Sequence, residues 1–287
     1  MKQTYPLNKM EWIIVDDGND KIEDLVSHIP QVRYFKSESK LSLGKKRNMM
    51  NEKCEGDIIV YMDDDDYYPP ERVSHAVETL RDNSLYDVAG CDNIYIYFGE
   101  PESETYQIGP YHDNHATAAT FAFRKCFLED HKYDETKVFG EESSFLKNFT
   151  VPLVKLDSEK TIVVFSHSLN TIDKRFIFKH KEHHKVKLVE KELAEVIANK
   201  KYRDFILDNE NYVKDYEFGK REYKKDVVEK LEKIETQNKR KGDIVDNMKE
   251  QLQKRSKVEL INIILNLKLQ NYVKNKNKNS TNELQKN

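Results

Sequence analysis

Four apolar runs of strand length punctuate the first hundred residues: Trp12–Val15, Val32–Phe35, Ile58–Met62 and the longer Val88–Phe98. Between them, Lys21–His28, Gly44–Cys54 and Pro70–Asp82 have helical character. The last of these places Val73, Val77 and Leu80 on one face. It also opens on Pro70 and Glu71, a first turn where proline's missing N–H costs nothing. Strand and helix patterns in alternation predict an α/β fold with a largely parallel sheet. Further on, the small residues of HATAATFAF predict a tightly packed strand ending near Arg124-Lys125. A helix over Glu141–Phe149 and short strands over Leu153–Leu156 and Thr161–Phe165 follow. Trp12 is expected in the core.

Beyond about residue 173 the pattern changes. Lys/Glu-rich segments, residues 187–206 and 224–255, carry helical periodicity with few turn signals. The expected organisation is a first domain over 1–173, a basic helical extension over 174–273 and an unstructured Asn/Lys-rich tail over 274–287. Charge sharpens this division. Residues 1–173 hold 19 Lys and Arg against 32 Asp and Glu, a balance of −13, whereas the remainder holds 29 against 19, a balance of +10. The acidic part is suited to holding cations and the basic part to anionic surfaces. The apolar stretch 258–273, flanked by lysines and Arg255, marks that region as a candidate for ordinary helix packing, homo-oligomer contact or peripheral membrane contact.

Cys54, Cys91 and Cys126 stand far apart, which supports neither a disulfide framework nor a zinc knuckle. The start of the chain has no apolar run of signal length, and no stretch reaches the length of a membrane span. A cytoplasmic protein without a nucleic-acid partner is expected.

The chemistry concentrates where strands end. In open α/β sheets ligands bind beyond the carboxyl ends of the strands. One apolar run delivers Asp16-Asp17-Gly18 and another delivers Asp63-Asp64-Asp65-Asp66, followed by Tyr67-Tyr68-Pro69-Pro70. The first cluster suits a turn as well as a ligand. The second is harder to explain as a turn, because four adjacent carboxylates repel by roughly 1 kcal/mol per close pair even in a water-like dielectric. A hard divalent cation with oxygen ligands, Mg²⁺ or Mn²⁺, is the expected counter-ion. Lys45, Lys46 and Arg47 after Gly44 form either a solvated helix start or an anion site. Glu141 and Glu142 after Gly140 suit a helix N-terminus in any case.

These elements occur in an order that resembles the family 2 glycosyltransferases of the GT-A fold. The likeness runs from about Gln3 to Asn170 through QTYPLNKMEWIIVDDGND, LSLGKKRNMMNEKCEGDIIVYMDDDD with its PP and helix, a GEE segment and FSHSLNT. It implies a mixed, Rossmann-like sheet flanked by helices, here with a C-terminal helical extension. It also implies a metal-dependent hexosyltransferase that moves a sugar from a nucleoside diphosphate sugar, expected to be a UDP-sugar, to a hydroxyl of a glycan, protein or lipid with inversion. On this likeness Asp16, Asp17, Arg47, Asn48, Asp63 and Asp64 would contact the nucleotide. Asp65 and His167 would hold Mn²⁺ or Mg²⁺. Glu142, where the family usually has Asp, or its neighbour Glu141 would be the general base, and Tyr67, Tyr68 and His115 would face the acceptor or sugar. Family 2 domains open with a strand and helix before the QTYP-like segment, so that β-α unit is expected to be lacking here. Two other classes remain open: a nucleotidyltransferase, which also joins carboxylate-bound Mg²⁺ to an α/β sheet, and a non-catalytic descendant that acts by binding.

Overall fold

Among the described residues the alternating pattern is realised in three sheets. The computed structural model describes residues 2–99, 102–171, 174–190, 193–213 and 224–284. Among these residues the strands are β1 (Trp12–Asp16), β2 (Val32–Lys36), β3 (Ile58–Val60), β4 (Val88–Gly90), β5 (Ile94–Phe98), β6 (Glu104–Ile108), β7 (Ala122–Arg124), β8 (Val154–Lys155), β9 (Val163–Ser166) and β10 (Lys187–Leu188). The α-helices are α1 (Glu23–Val26), α2 (Leu43–Lys53), α3 (Arg72–Asp82), α4 (Glu142–Phe145), α5 (Lys181–His184), α6 (Leu193–Val196), α7 (Lys200–Leu207), α8 (Asn209–Val213), α9 (Lys225–Gln253) and α10 (Lys257–Leu284).

β1 and β2 pair in parallel, Trp12 opposite Val32 through Asp16 opposite Lys36. A second sheet has the order β3-β7-β4-β8 and a third the order β10-β6-β5-β9. The expected largely parallel sheet is therefore mixed. β7 lies antiparallel between β3 and β4, where its small and apolar residues Ala122 and Phe123 are fully buried. Helix α3 seats Val73, Ala76, Val77 and Leu80 in the core, as its periodicity predicts. Burying a leucine as completely as Leu80 contributes about 1.5–3 kcal/mol.

Several expectations are corrected. The run Val88–Phe98 is two strands in different sheets, parted at Cys91-Asp92-Asn93. There the buried Asp92 carboxylate takes an ion pair from Lys155 at 3.2 Å and the Tyr111 N–H at 3.0 Å. The helix after Gly140 stops at Phe145, and Lys147, Asn148 and Phe149 follow with φ of 48°, 57° and 59°. Residues 187–206 are not one helix. β10 pairs with β6, and Asn199 caps α7, so strand pairing overrides local propensity. Trp12 is 39% exposed rather than core.

The exposure of Trp12 has a structural cause. Among the described residues β1 and β3 each carry a ladder on one side only. Between them runs a groove of about 910 Å³, lined by Met10, Trp12, Ile13, Met50, Ile58 and Met62 among others, with Arg47 and Asp63 also on its wall. The start of β1 is tied to the approach of β3 by Glu11, whose Oε1 accepts from Glu55 N–H at 2.5 Å and Gly56 N–H at 2.8 Å.

The chain divides into units Met1–Val227 and Val228–Asn287, later than the change of composition at 173. Residues 174–190 and 193–213 fall in the first unit, where Ile177 and Ile197 are buried. In the second, Ile244, Met248, Val258, Ile264 and Leu269 are exposed. The composition predicts no structure from 274, but α10 continues to Leu284; residues 274–284 contain neither Gly nor Pro to end it. Residues 285–287 of that expected tail lie outside the described residues. No described helix is long and apolar enough to cross a membrane.

Candidate active site

The site is assembled by α2, which follows the capping residue Ser42 and turns Lys46 and Arg47 toward two different strand ends. Asp17, at the end of β1, is buried and takes an ion pair from Lys46 and the Leu41 N–H at 2.9 Å. Burial acts to raise its pKa, but the Lys46 contact, the backbone bond and the charge of Lys40 outweigh it and hold the carboxyl below its usual range. Asp16 is committed to its own loop. Its carboxylate accepts from Gly18 N–H at 2.8 Å, Ile22 N–H at 3.0 Å and the Tyr34 hydroxyl.

Arg47 is the hub. Its side chain is 5% exposed, and Nε donates to Glu141 Oε1 at 2.7 Å while both terminal nitrogens lie 3.4 Å from Asp63 Oδ1. The guanidinium also sits over the Tyr61 ring, 4.9 Å from its centroid. Burial alone would lower the Arg47 pKa, yet Asp63 and Glu141 drive it well above its ordinary value. One buried cation thereby joins the end of β3 to the start of α4 and is shared between two of the acids.

The four consecutive aspartates have separate surroundings. Asp63 faces Arg47, and its N–H donates to the Tyr68 hydroxyl at 2.7 Å. Asp64 is exposed. Asp65 Oδ2 accepts from Asn170 Nδ2 at 3.1 Å and stands 3.2 Å from His167 Nε2. Burial would raise its pKa, but His167 and the charge of Lys174 keep it low. Asp66 accepts the Phe165 N–H at 3.0 Å, which ties the loop to β9, and burial followed by the charge of Asp65 pushes its pKa well up. The repulsion expected from sequence is thus divided among an arginine, solvent, a histidine–asparagine pair and a backbone amide.

Glu141 and Glu142 also differ. Glu141 is buried and spent on Arg47. Glu142, the first residue of α4, accepts the Leu146 N–H at its backbone carbonyl at 2.9 Å, and its carboxylate meets no side-chain hydrogen-bond partner among the described residues. Burial, then the neighbouring Glu141 charge, raises its pKa.

Other expected contacts lie elsewhere. Asn48 is buried and uses both ends of its amide on the Tyr133 backbone, at 2.9 and 3.0 Å, and so supports the site from behind. Tyr68 holds the Asp63 backbone, and Tyr67 bridges to Val163 and packs with Tyr95, Tyr97 and Phe165. Neither ring is spent on an open surface beside Asp65. His115 stacks on Phe149, 4.9 Å between centroids, and burial pushes its pKa down to about 4. It neighbours a separate polar pocket of about 600 Å³ lined by Asp92, Tyr111, His112, Lys155 and Lys185. Sequence reasoning passed over Asn170 and Tyr61. Only the spacing of Asn170, three residues after His167, offered a hint.

A metal fits the pair Asp65–His167 as a half-site. A carboxylate oxygen and an imidazole nitrogen lie side by side, and Mg²⁺-type ions commonly take one or two carboxylates with the remaining positions filled by phosphate and water. No group of three or more His, Cys, Asp or Glu converges on one point among the described residues.

A sequence model described as glycosyl transferase family 2 matches residues 1–151. Among solved structures, S. aureus TarS 1-349 in complex with UDP-GlcNAc is 20% identical, with 57% of this chain and 52% of that one covered and a TM-score of 0.44. The mannosyltransferase PcManGT from Pyrobaculum calidifontis, solved with GDP-Man and Mn²⁺, is 14% identical over 56% and 49%, with a TM-score of 0.43. GalNAc-T7 with UDP, GalNAc and Mn²⁺ is 13% identical over 57% and 39%, with a TM-score of 0.45. The chain therefore spans about half of the first two and less of the third. A comparison with curated proteins finds no match.

Proposed function

The chain belongs to glycosyl transferase family 2, and on that premise we propose that it moves a sugar from a uridine diphosphate sugar to a hydroxyl acceptor with inversion at the anomeric carbon. Its mixed sheets flanked by helices are the GT-A fold of that family. The observation that carries the proposal is the division of acids around Arg47. Glu141 and Asp63 share the one guanidinium of Arg47, Glu142 keeps a carboxylate of raised pKa with no side-chain partner among the described residues, and Asp65 is paired with His167.

In this reading Asp17 and Asp63 face the nucleoside, and Lys46 and Arg47 set their positions. Asp65 and His167 would hold Mn²⁺ or Mg²⁺, which supplies charge neutralisation for the departing diphosphate. Glu142 accepts the proton of the acceptor hydroxyl as that oxygen bonds to the anomeric carbon. The bond from the anomeric carbon to the β-phosphate oxygen breaks, and the diphosphate leaves with the electron pair. A base with a raised pKa is nearer the working pH, where proton transfer is most effective. Glu141 is ill suited to this step, because its carboxylate is buried and held by Arg47 at 2.7 Å.

The test is a screen of nucleotide sugars with MnCl₂ on the full chain, reading release of the nucleoside diphosphate. Turnover lost in Asp65→Ala and in Glu142→Gln supports the proposal. Release of pyrophosphate would instead mark a nucleotidyltransferase, and Mn²⁺-independent turnover in Asp65→Ala would overturn the metal assignment.

A further inference from the structure

The turn after β9 brings two side chains to Asp65 at once. His167 Nε2 and Asn170 Nδ2 lie 3.2 and 3.1 Å from the same oxygen, Oδ2. The turn is closed internally, with the His167 N–H donating to Asn170 Oδ1 at 2.9 Å and the Leu169 N–H 3.3 Å from His167 Nδ1. Such internal bonds fix the shape of the turn but not its distance from the aspartates. Its placement needs ties from elsewhere in the fold.

One such tie comes from far along the chain. Lys224, the residue immediately before α9, donates from Nζ to the Leu169 carbonyl at 2.6 Å, across 55 positions of sequence. Lys224 is half-buried, and burial together with the charge of Lys40 lowers its pKa, while Asp65 acts the other way. The ammonium thus occupies a place that is costly for a cation unless it is hydrogen-bonded. The carbonyl it has captured belongs to the residue between His167 and Asn170 that ends the tight part of the turn. Lys174 makes a parallel contact four residues earlier, donating to the Phe165 carbonyl at 3.0 Å, so two lysines brace the end of β9 and the turn that leaves it.

We propose that Lys224 is a positioning residue for the cation site: by latching the Leu169 carbonyl, it holds the turn so that His167 and Asn170 both face Asp65. This rests on the reading of Asp65 and His167 as the metal side of the donor site. It makes the residue at the head of the basic helical region part of the machinery of the acidic domain. Lys224 touches neither nucleotide nor metal in this role; it acts through Leu169. Residues that orient ligands in this indirect way typically affect metal affinity by about 10- to 100-fold.

The test uses the full chain, three single variants and one double variant. Lys224→Met keeps the aliphatic stem and removes the donor, Lys224→Arg keeps a donor, and Asn170→Ala removes one of the groups being positioned. Two readouts are taken: amide hydrogen exchange over residues 167–170 without metal, and the affinity for Mn²⁺ in the presence of UDP. Faster exchange in the turn and about tenfold weaker Mn²⁺ binding are expected for Lys224→Met, with Lys224→Arg within about twofold of the parent. In the double variant Lys224→Met/Asn170→Ala the losses should not add, because both changes break the same linkage. Unchanged exchange in Lys224→Met, or losses that add fully, overturns the inference. A parent chain that binds no Mn²⁺ with UDP would sink the functional proposal instead, and the exchange measurement would still decide the latch.

Discussion

Replacing Arg47 by methionine removes the one cation among the described residues that serves both Glu141 and Asp63, while nearly preserving the volume of the stem. The two acids respond differently. Asp63 is 34% exposed and lies at 3.4 Å, so water takes over much of what the guanidinium supplied. Glu141 is 4% exposed at 2.7 Å and is left as a buried, unpaired carboxylate. Breaking a buried pair from one side costs about 3–5 kcal/mol, far more than the pair itself contributes relative to an apolar replacement. The contact with the Tyr61 ring adds about 1 kcal/mol. For a unit of this size, roughly 2–4 °C of Tm is lost per kcal/mol, so Arg47→Met should melt about 10 °C or more below the parent. Urea unfolding followed by circular dichroism and by the fluorescence of the single tryptophan, Trp12, measures the loss. The double variant Arg47→Met/Glu141→Met should recover most of it, because no buried charge remains. A loss below about 1 kcal/mol in the single variant, or a double variant no more stable than the single, would refute the account of Arg47 as a buried hub.

Other outcomes follow from the same geometry. Asp65→Asn should weaken Mn²⁺ binding in the presence of UDP by at least tenfold while leaving metal-free uridine binding within twofold, as titration calorimetry would read. Glu142→Gln should lower kcat by about 10²- to 10⁴-fold with donor KM little changed, and a comparable rise in KM alone would argue against a role as base. Because the Glu142 carboxyl is raised, the parent's rate should climb with pH through a value above the ordinary carboxylate range, and this limb should be absent from the residual rate of the Gln variant. Asp66, raised well above its ordinary value, binds a proton in the folded state at pH values where the unfolded chain has lost it. Its contribution to stability is therefore present at low pH and lost as pH rises through the raised pKa. Asp66→Asn, which keeps the acceptor for the Phe165 N–H, should match the parent's Tm near pH 4 and exceed it at pH 8; a parallel pH dependence in both would count against the assignment.

The sequence by itself determined the α/β character, the strands β1, β2 and β3, the helices α2 and α3, and the placing of acids at strand ends. These are local properties: side-chain period, capping residues and turn chemistry act over a few positions, so the pattern of neighbours suffices to read them. Tertiary structure decided how those acids are paired, beyond the joining of Asp65 with His167 that the family likeness implies. Arg47 meets Glu141 across 94 positions and His167 meets Asp65 across 102, and no periodicity records such pairings. The same holds for the breaking of Val88–Phe98 into strands of two sheets and for the conversion of residues 187–206 into a strand and two short helices. In each case a partner distant in sequence, Lys155 on Asp92 or β6 on β10, outweighs a local preference of a few tenths of a kcal/mol per residue. Four adjacent aspartates announced a charged site, but only the fold could give each of them a different neighbour. Burial and partners, rather than order in the chain, set which carboxylate is neutralised, which is held low and which is raised.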